Sequence, residues 1–402
     1  MPWTVVGVRA ERTHLMSTTG NCWPTNSQRL LLRAALLRGA EAVDAWRQWM
    51  HGVDLEALDA GSIRLLPLLY RSLERQGVRD PRMSRLKGVY RHAWYGNQMR
   101  LRDAAAVLGE FHRRGIQPML LKGAALTLQH YRDFGLRPME DVDILVREHQ
   151  WRPAVDTLSE LGWKPRARMT PRHAVAAHAM EFADTRAQRI DLHWHLLPDS
   201  CWPHADDPFW ERASAAALHG TRVWTLDPTD QLFHACAHGM KWEHVPPLRW
   251  IADAAMILGE PSVTVDWERL VRLAEHLRLI LPLREGLTYL EQALGLGVPR
   301  HALVAFQNAR VSAAERWEHR FRTRPASGVF GRLREHWLRY RRLRRAPGGL
   351  RGISFVTYLQ VVLDCDGTGA LIVRAIFRRH WRRGAERDAR ARERRFNHAT
   401  LP

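Results

Sequence analysis

The chain has 402 residues, of which 46% are hydrophobic, and a formal net charge of +19. That length can bury a large core in two or three domains, and the apolar content excludes a disordered or fibrous chain. The charge calls for an anionic partner (nucleotide, nucleic acid, acidic protein or membrane surface) without choosing among them, because heavy arginine use with little lysine also follows from a GC-rich genome.

Residues 1–26 read as disordered. Met1 to Pro24 has no apolar signal core, and Met16 is an alternative start. With no run of membrane-spanning length elsewhere, the expected location is cytoplasmic and no transmembrane segment is expected. Residues 27–114 form an N-terminal helical region. Leu30, Leu31, Ala34, Ala35 and Leu37 make one stripe, Ile63 to Leu69 another, and Leu101, Ala104, Ala105, Leu108 and Phe111 a third, stopped at Gly115.

Residues 115–226 change pattern. A short buried strand is expected over 116–121, then a helix from Ala124 to Tyr131, then a strand over 141–147. A helix with Val155, Leu158 and Leu161 inward ends at Gly162, and a hairpin follows near 178–185 and 188–196. This β-α-β-α-β order predicts an α+β fold: a small mixed sheet with helices packed on one face, flanked by N- and C-terminal helical regions. From Asp227-Pro228-Thr229 the pattern is helical again over 227–345. Residues 346–402 form an extension, broken by Gly348, Gly349 and Gly352, whose tail from Leu371 to Arg395 begins apolar and ends Arg-rich. Cys22, Cys201, Cys236 and Cys365 are scattered, which excludes a disulfide framework and a cysteine zinc site.

Chemistry concentrates in the middle region. In Asp141-Val142-Asp143-Ile144-Leu145-Val146 the strand period puts Asp141 and Asp143 on one face and Val142, Ile144 and Val146 on the other. Two carboxylates side by side on a half-buried strand repel unless a cation lies between them, and Mg²⁺ favours such oxygen clusters. A second alternating run, Arg189-Ile190-Asp191-Leu192-His193-Trp194-His195-Leu196, offers a third carboxylate. If the two strands are neighbours, Asp141, Asp143 and Asp191 can together hold two Mg²⁺ (or Mn²⁺) ions, one activating a nucleophile and one on nucleotide phosphates.

Upstream, Leu120-Leu121-Lys122-Gly123-Ala124-Ala125 places a glycine at a strand-to-helix turn, where a phosphate can approach the backbone. The chain's lysines are Lys87, Lys122, Lys164 and Lys241, and arginine supplies the rest of the 61 basic residues, so a lysine at this turn stands out from the composition. Arg137, a few residues before the paired aspartates, can fork onto triphosphate oxygens or stand as a solvated loop arginine. His193, His195, His238 and Asp253 are candidates for lining the cleft, with a hydrogen bond between His238 and Asp253. His193-x-His195 and His234-x-x-x-His238 also have zinc-ligand spacing, though a polar cleft lining explains them more simply.

The order Leu121-Lys122-Gly123-Ala124-Ala125, Arg137, Asp141 to Val146, Asp191-Leu192-His193-Trp194, His238 and Leu248-Arg249-Trp250-Ile251-Ala252-Asp253 resembles the uncharacterised bacterial nucleotidyltransferase family of the DNA polymerase β-like superfamily, over roughly residues 30–260. The resemblance implies metal-dependent transfer of a nucleotidyl group from an NTP, ATP first among them. Asp141, Asp143 and Asp191 would be the metal-binding and catalytic set, and Lys122, Gly123, Ala124 and Arg137 would hold the nucleotide. Where the wider superfamily has Gly-Gly or Gly-Ser, this chain has Gly123-Ala124, with no hydroxyl to offer a phosphate. The acceptor is open: RNA, protein or a small molecule, and anionic if the charge is a guide. Two other readings compete. One is an inactive nucleotide- or RNA-binding protein on the same scaffold. The other is a basic adaptor whose tail touches an anionic surface.

Overall fold

The computed structural model describes residues 22–166, 176–243, 247–325, 328–350, 352–363 and 367. The Arg-rich tail, Cys365 and most of the disordered stretch expected at the N-terminus lie outside these residues. Of residues 22–26, expected to share that disorder, Cys22 and Pro24 are buried and Asn26 begins the first helix. Thr25 caps that helix in a reciprocal capping box with Gln28.

Five helices come first: α1 (Asn26–Leu36), α2 (Gly39–Met50), α3 (Ala60–Ile63), α4 (Leu66–Arg75) and the long α5 (Met83–Arg113). The core region then runs β1 (Met119–Leu120), α6 (Lys122–Leu126), β2 (Val142–Leu145), α7 (Trp151–Glu160), β3 (Lys164–Pro165), β4 (Ala179–Ala183), β5 (Arg189–His193), α8 (Asp207–Glu211), β6 (Ser214–Leu218) and β7 (Thr221–Thr225). The helix expected as far as Tyr131 is α6 continued by one wide π turn over Thr127–Tyr131, stopped by Arg132 at φ 52°. C-terminal helices follow: α9 (Pro228–Gly239), α10 (Arg249–Leu258), α11 (Trp267–His276), α12 (Ile280–Leu294), α13 (Arg300–Asn308), α14 (Ala313–Arg322), α15 (Gly328–Arg345) and α16 (Phe355–Leu363).

The fold is α+β, with one mixed sheet of seven strands in the order β3-β4-β5-β2-β1-β7-β6 among the described residues. β2 runs parallel to β5 and β1 parallel to β7, while the other neighbours are antiparallel. The sequence reading missed the β6–β7 hairpin. Its turn, His219-Gly220, has both residues at positive φ, the geometry of a two-residue hairpin.

The sheet's two faces have different fates. Val142, Ile144, Ile190, Leu192, Met180 and Phe182 join Leu101, Leu108 and Phe111 of α5 and Ala154 and Leu158 of α7 in one apolar cluster. Met119, Leu121 and Leu145 join a second, larger cluster that includes α1, α2, α4 and α9 to α12. Thus the N- and C-terminal helices share one core.

Candidate active site

Register sets the heart of the site. Parallel pairing of β2 and β5 puts Asp143 directly beside Asp191, and Leu145 beside His193. Both carboxylates therefore leave the sheet on the same face. His193 reaches between them, with Nε2 at 3.2 Å from Asp143 Oδ1 and 3.0 Å from Asp191 Oδ2. The imidazole is 1% exposed. Burial and the nearby Lys122 charge push its pKa down, but Asp191 and Asp143 outweigh them and leave it raised.

Lys122 arrives from the other side. Its Nζ lies 2.5 Å from Asp143 Oδ1. To turn from β1 into α6, Lys122 takes φ 43°, a left-handed conformation that costs a residue with a Cβ about 1–2 kcal/mol. The hydrogen bond from Leu121 N to Asp143 O, 3.0 Å, holds the turn against β2. Burial raises the Asp143 carboxyl, but the Lys122 and His193 charges overcome it and hold it far below the usual carboxylate range. Asp141 sits just before β2, half-buried. Burial first, then the Asp143 charge, lift it to about 6.

Ligand atoms of Asp143, Asp191 and His193 all fall within 4.8 Å of one another. Two carboxylate oxygens suit a hard divalent cation, and an imidazole nitrogen in the set extends the fit towards Mn²⁺ or Zn²⁺. Asp141 stands beside this group rather than in it. His193, expected to line the cleft or to offer a zinc ligand together with His195, joins the two aspartates instead. His178, which no motif marked, packs its ring edge-on to His193 at 5.4 Å, and burial holds it neutral. His195 is turned away from this group onto Asp206, Nδ1 to Oδ2 2.9 Å, and His234 and His238 pack ring to ring at 5.8 Å; neither pair belongs to a three-ligand group among the described residues.

Arg137 is placed differently from the expectation. The fork expected to close on triphosphate oxygens closes on Asp253, with Nε to Oδ1 at 2.7 Å and Nη2 to Oδ2 at 2.9 Å. Tyr131 Oη donates to the same carboxylate at 2.8 Å. Asp253 is thus satisfied by Tyr131 and Arg137, and the expected hydrogen bond with His238 is not among those of the described residues. Asn97 of α5 pins the loop beneath, donating to Phe134 O and Arg137 O and accepting from Met139 N. Gly123 is needed for this loop: a Cβ there would lie 2.7 Å from Met139 and closer still to Arg137 Nη1. Its lack of a side chain admits protein groups as well as any phosphate.

A cleft of about 900 Å³, open to solvent, adjoins these residues. Lys122, Leu121 and Ala125 line it on the sheet side, with Arg137 at its edge. His234 and His238 of α9 and Arg249, Trp250 and Asp253 of α10 line the other wall. No helix among the described residues is long and apolar enough to cross a membrane.

The family described as uncharacterised nucleotidyltransferase matches residues 60–295, more than half of the chain. No curated protein matches the sequence. Among solved structures, an antigenic nucleotidyltransferase-like protein from Paracoccidioides brasiliensis is similar at 12% identity and a TM-score of 0.33, covering 54% of this chain and 95% of that one. A likeness that slight bears on neither fold nor chemistry.

Proposed function

Because this chain belongs to the family of uncharacterised nucleotidyltransferases, we propose that it moves an NMP group from an NTP, ATP first among them, to an acceptor hydroxyl, using a core of the polymerase β-like kind. The observation that carries the reading is the β2–β5 register, which brings Asp143, Asp191 and His193 together beside Lys122, a residue that lines the cleft. Asp143 and Asp191, with His193 or Asp141 beside them, would hold Mg²⁺ or Mn²⁺. A divalent cation bound there supplies charge neutralisation to the reacting phosphate.

The chain's own residues divide the remaining work. Asp191 takes the proton of the acceptor hydroxyl as its oxygen bonds to the α-phosphorus, and the bond from that phosphorus to the bridging oxygen breaks, releasing pyrophosphate. Lys122 pairs with Asp143, and its ammonium at the cleft would balance the charge of a phosphate oxygen. His193 keeps the two carboxylates apart and oriented. Arg137 fixes α10 against the Gly123 turn through Asp253.

The test is incubation of the full chain with each α-labelled NTP, Mg²⁺ or Mn²⁺, and a cell lysate, with Asp143→Asn in parallel. Label appearing on a macromolecule or small molecule with the wild type alone supports transfer. Tight NTP binding without label on any acceptor would leave the non-catalytic nucleotide-binding reading in its place.

A further inference from the structure

Five cations line the cleft: Arg64, Lys122, Arg137, Lys241 and Arg249. Four are neutralised by a named acid. Arg64 pairs with Glu140, Lys122 with Asp143, Arg137 with Asp253, and Lys241 with Glu243. Arg249 has no ion pair among the described residues. Its hydrogen bond runs from Nη1 to Pro138 O, at a long 3.3 Å. Burial, with Arg64 and Arg137 nearby, pulls this guanidinium down to about 10.

The carboxylates nearest Arg249, Asp253 and Glu140, are paired with Arg137 and Arg64, and several donors around Arg249 are not. Arg249 is the first residue of α10, a helix of ten residues that no side chain caps, so the positive end of the helix faces the cleft. Trp250 Nε1 and His234 Nε2 are buried polar atoms with no hydrogen-bond partner among the described residues. Both residues line the cleft, and each is only 4% exposed. An orphaned buried donor costs about 1–3 kcal/mol, so two in one wall point to a ligand rich in acceptors. Burial and Lys122 push His234 down to about 3, so its ring is neutral, and an acceptor in the cleft would select the tautomer that carries the proton on Nε2.

We propose that Arg249, the N-terminus of α10, Trp250 Nε1 and His234 Nε2 form a polyphosphate-binding subsite that receives the β- and γ-phosphates of the nucleotide. This deepens, and rests on, the nucleotidyltransferase reading above. It moves the phosphate-binding arginine from Arg137, whose fork is occupied, to Arg249. It also supplies from the helical wall the donors that Gly123-Ala124 lacks for want of a serine. A guanidinium together with a helix N-terminus is a suitable receptor for a multiply charged anion.

The probe is inorganic tripolyphosphate, titrated into the full chain by calorimetry without divalent metal. Arg249→Gln should weaken binding at least tenfold and Arg249→Lys by less, while Asp143→Asn should bind as tightly as wild type or more so. Arg249→Gln binding within twofold of wild type overturns the subsite. A measurement on the unmutated protein guards against misfolded variants: phenylglyoxal modification mapped by mass spectrometry. Tripolyphosphate should protect Arg249 selectively, and equal modification with and without it also overturns the proposal. The two readings fail separately. Protection of Arg249 with no label transferred from any NTP keeps the subsite and removes the transferase. Label transfer by Arg249→Gln with an unchanged KM for NTP keeps the transferase and removes the subsite.

Discussion

The two walls of the cleft are built on opposite plans. The sheet wall is acidic and neutralises itself: Asp143 is held by Lys122 and His193, and Asp191 by His193. The helical wall keeps unmet donors beside its paired groups: among the described residues Arg249 has no ion pair, and Trp250 Nε1 and His234 Nε2 have no hydrogen-bond partner. A self-neutralised acidic cluster can exchange its internal cation for a metal. A wall of unmet donors waits for an anion. A nucleotide chelated to a divalent cation brings both.

The largest effect should come from the sheet wall. Asp143→Asn keeps volume and removes charge, and transfer activity should fall on the order of 10³-fold or more. Like-charge repulsion with Asp141 and Asp191 alone would predict a gain in stability. The pairing seen here predicts a loss, because Lys122 and His193 lose their charged partner in a mostly buried site. We expect about 1–3 kcal/mol by urea titration. A variant more stable than wild type would show that Asp143 is strained by its neighbours rather than held by them.

The joint between the walls comes next. Arg137 is 8% exposed and Asp253 5%, and their fork links the turn before β2 to α10. Removing one partner of a buried pair leaves the other uncompensated, so Arg137→Gln should cost about 3–5 kcal/mol. Combining Arg137→Met with Asp253→Leu should recover part of it. If Arg137→Gln melts as wild type but fails to bind NTP, then the arginine serves the nucleotide directly and the joint lies elsewhere.

Gly123→Ala probes the same joint more gently. The added methyl must displace Met139 or Arg137, and overpacking of this kind costs about 1–3 kcal/mol. The KM for NTP should rise with it, because Arg137 would be pushed off Asp253. Unchanged stability would mean that the loop above Gly123 gives way freely.

These walls were unequally legible in the sequence, for a physical reason. Strand alternation is local, so Asp141 and Asp143 could be assigned to one face of their strand and Asp191 to the polar face of its own from the residues alone, while the pairing that sets Asp143 beside Asp191 is a tertiary fact. The same alternation marked His193 as polar-face but could not show that its ring spans the two carboxylates. The helical wall depends on contacts over long sequence distances. Arg137 meets a partner 116 residues away, and Asn97 holds that loop from 40 residues before it. No local pattern reports either. The β6–β7 hairpin is marked in the sequence by little more than Gly220, because Ser214-Ala215-Ala216-Ala217-Leu218 carries no clear alternation, and β7 is the parallel partner of β1.

The smallest effect tests whether the helical wall is as dry as its unmet donors require. His234 is lowered to about 3 by burial and by Lys122, so the fold favours the neutral ring. A histidine depressed in the folded state contributes its stability in full above the unfolded value of about 6.5 and loses it as pH falls below that, by about 1.4 kcal/mol per pH unit. His178 and His238 are depressed by burial in the same direction, so the whole protein should lose stability over this range. The contribution of His234 is the difference that His234→Gln removes. Between pH 7.5 and 5.5 the wild type should therefore lose about 1.4 kcal/mol more than the variant. Parallel losses would mean that water reaches the ring and titrates it normally. An anion subsite with free access to water would give up much of its advantage, since each donor would already be hydrogen-bonded before any phosphate arrived.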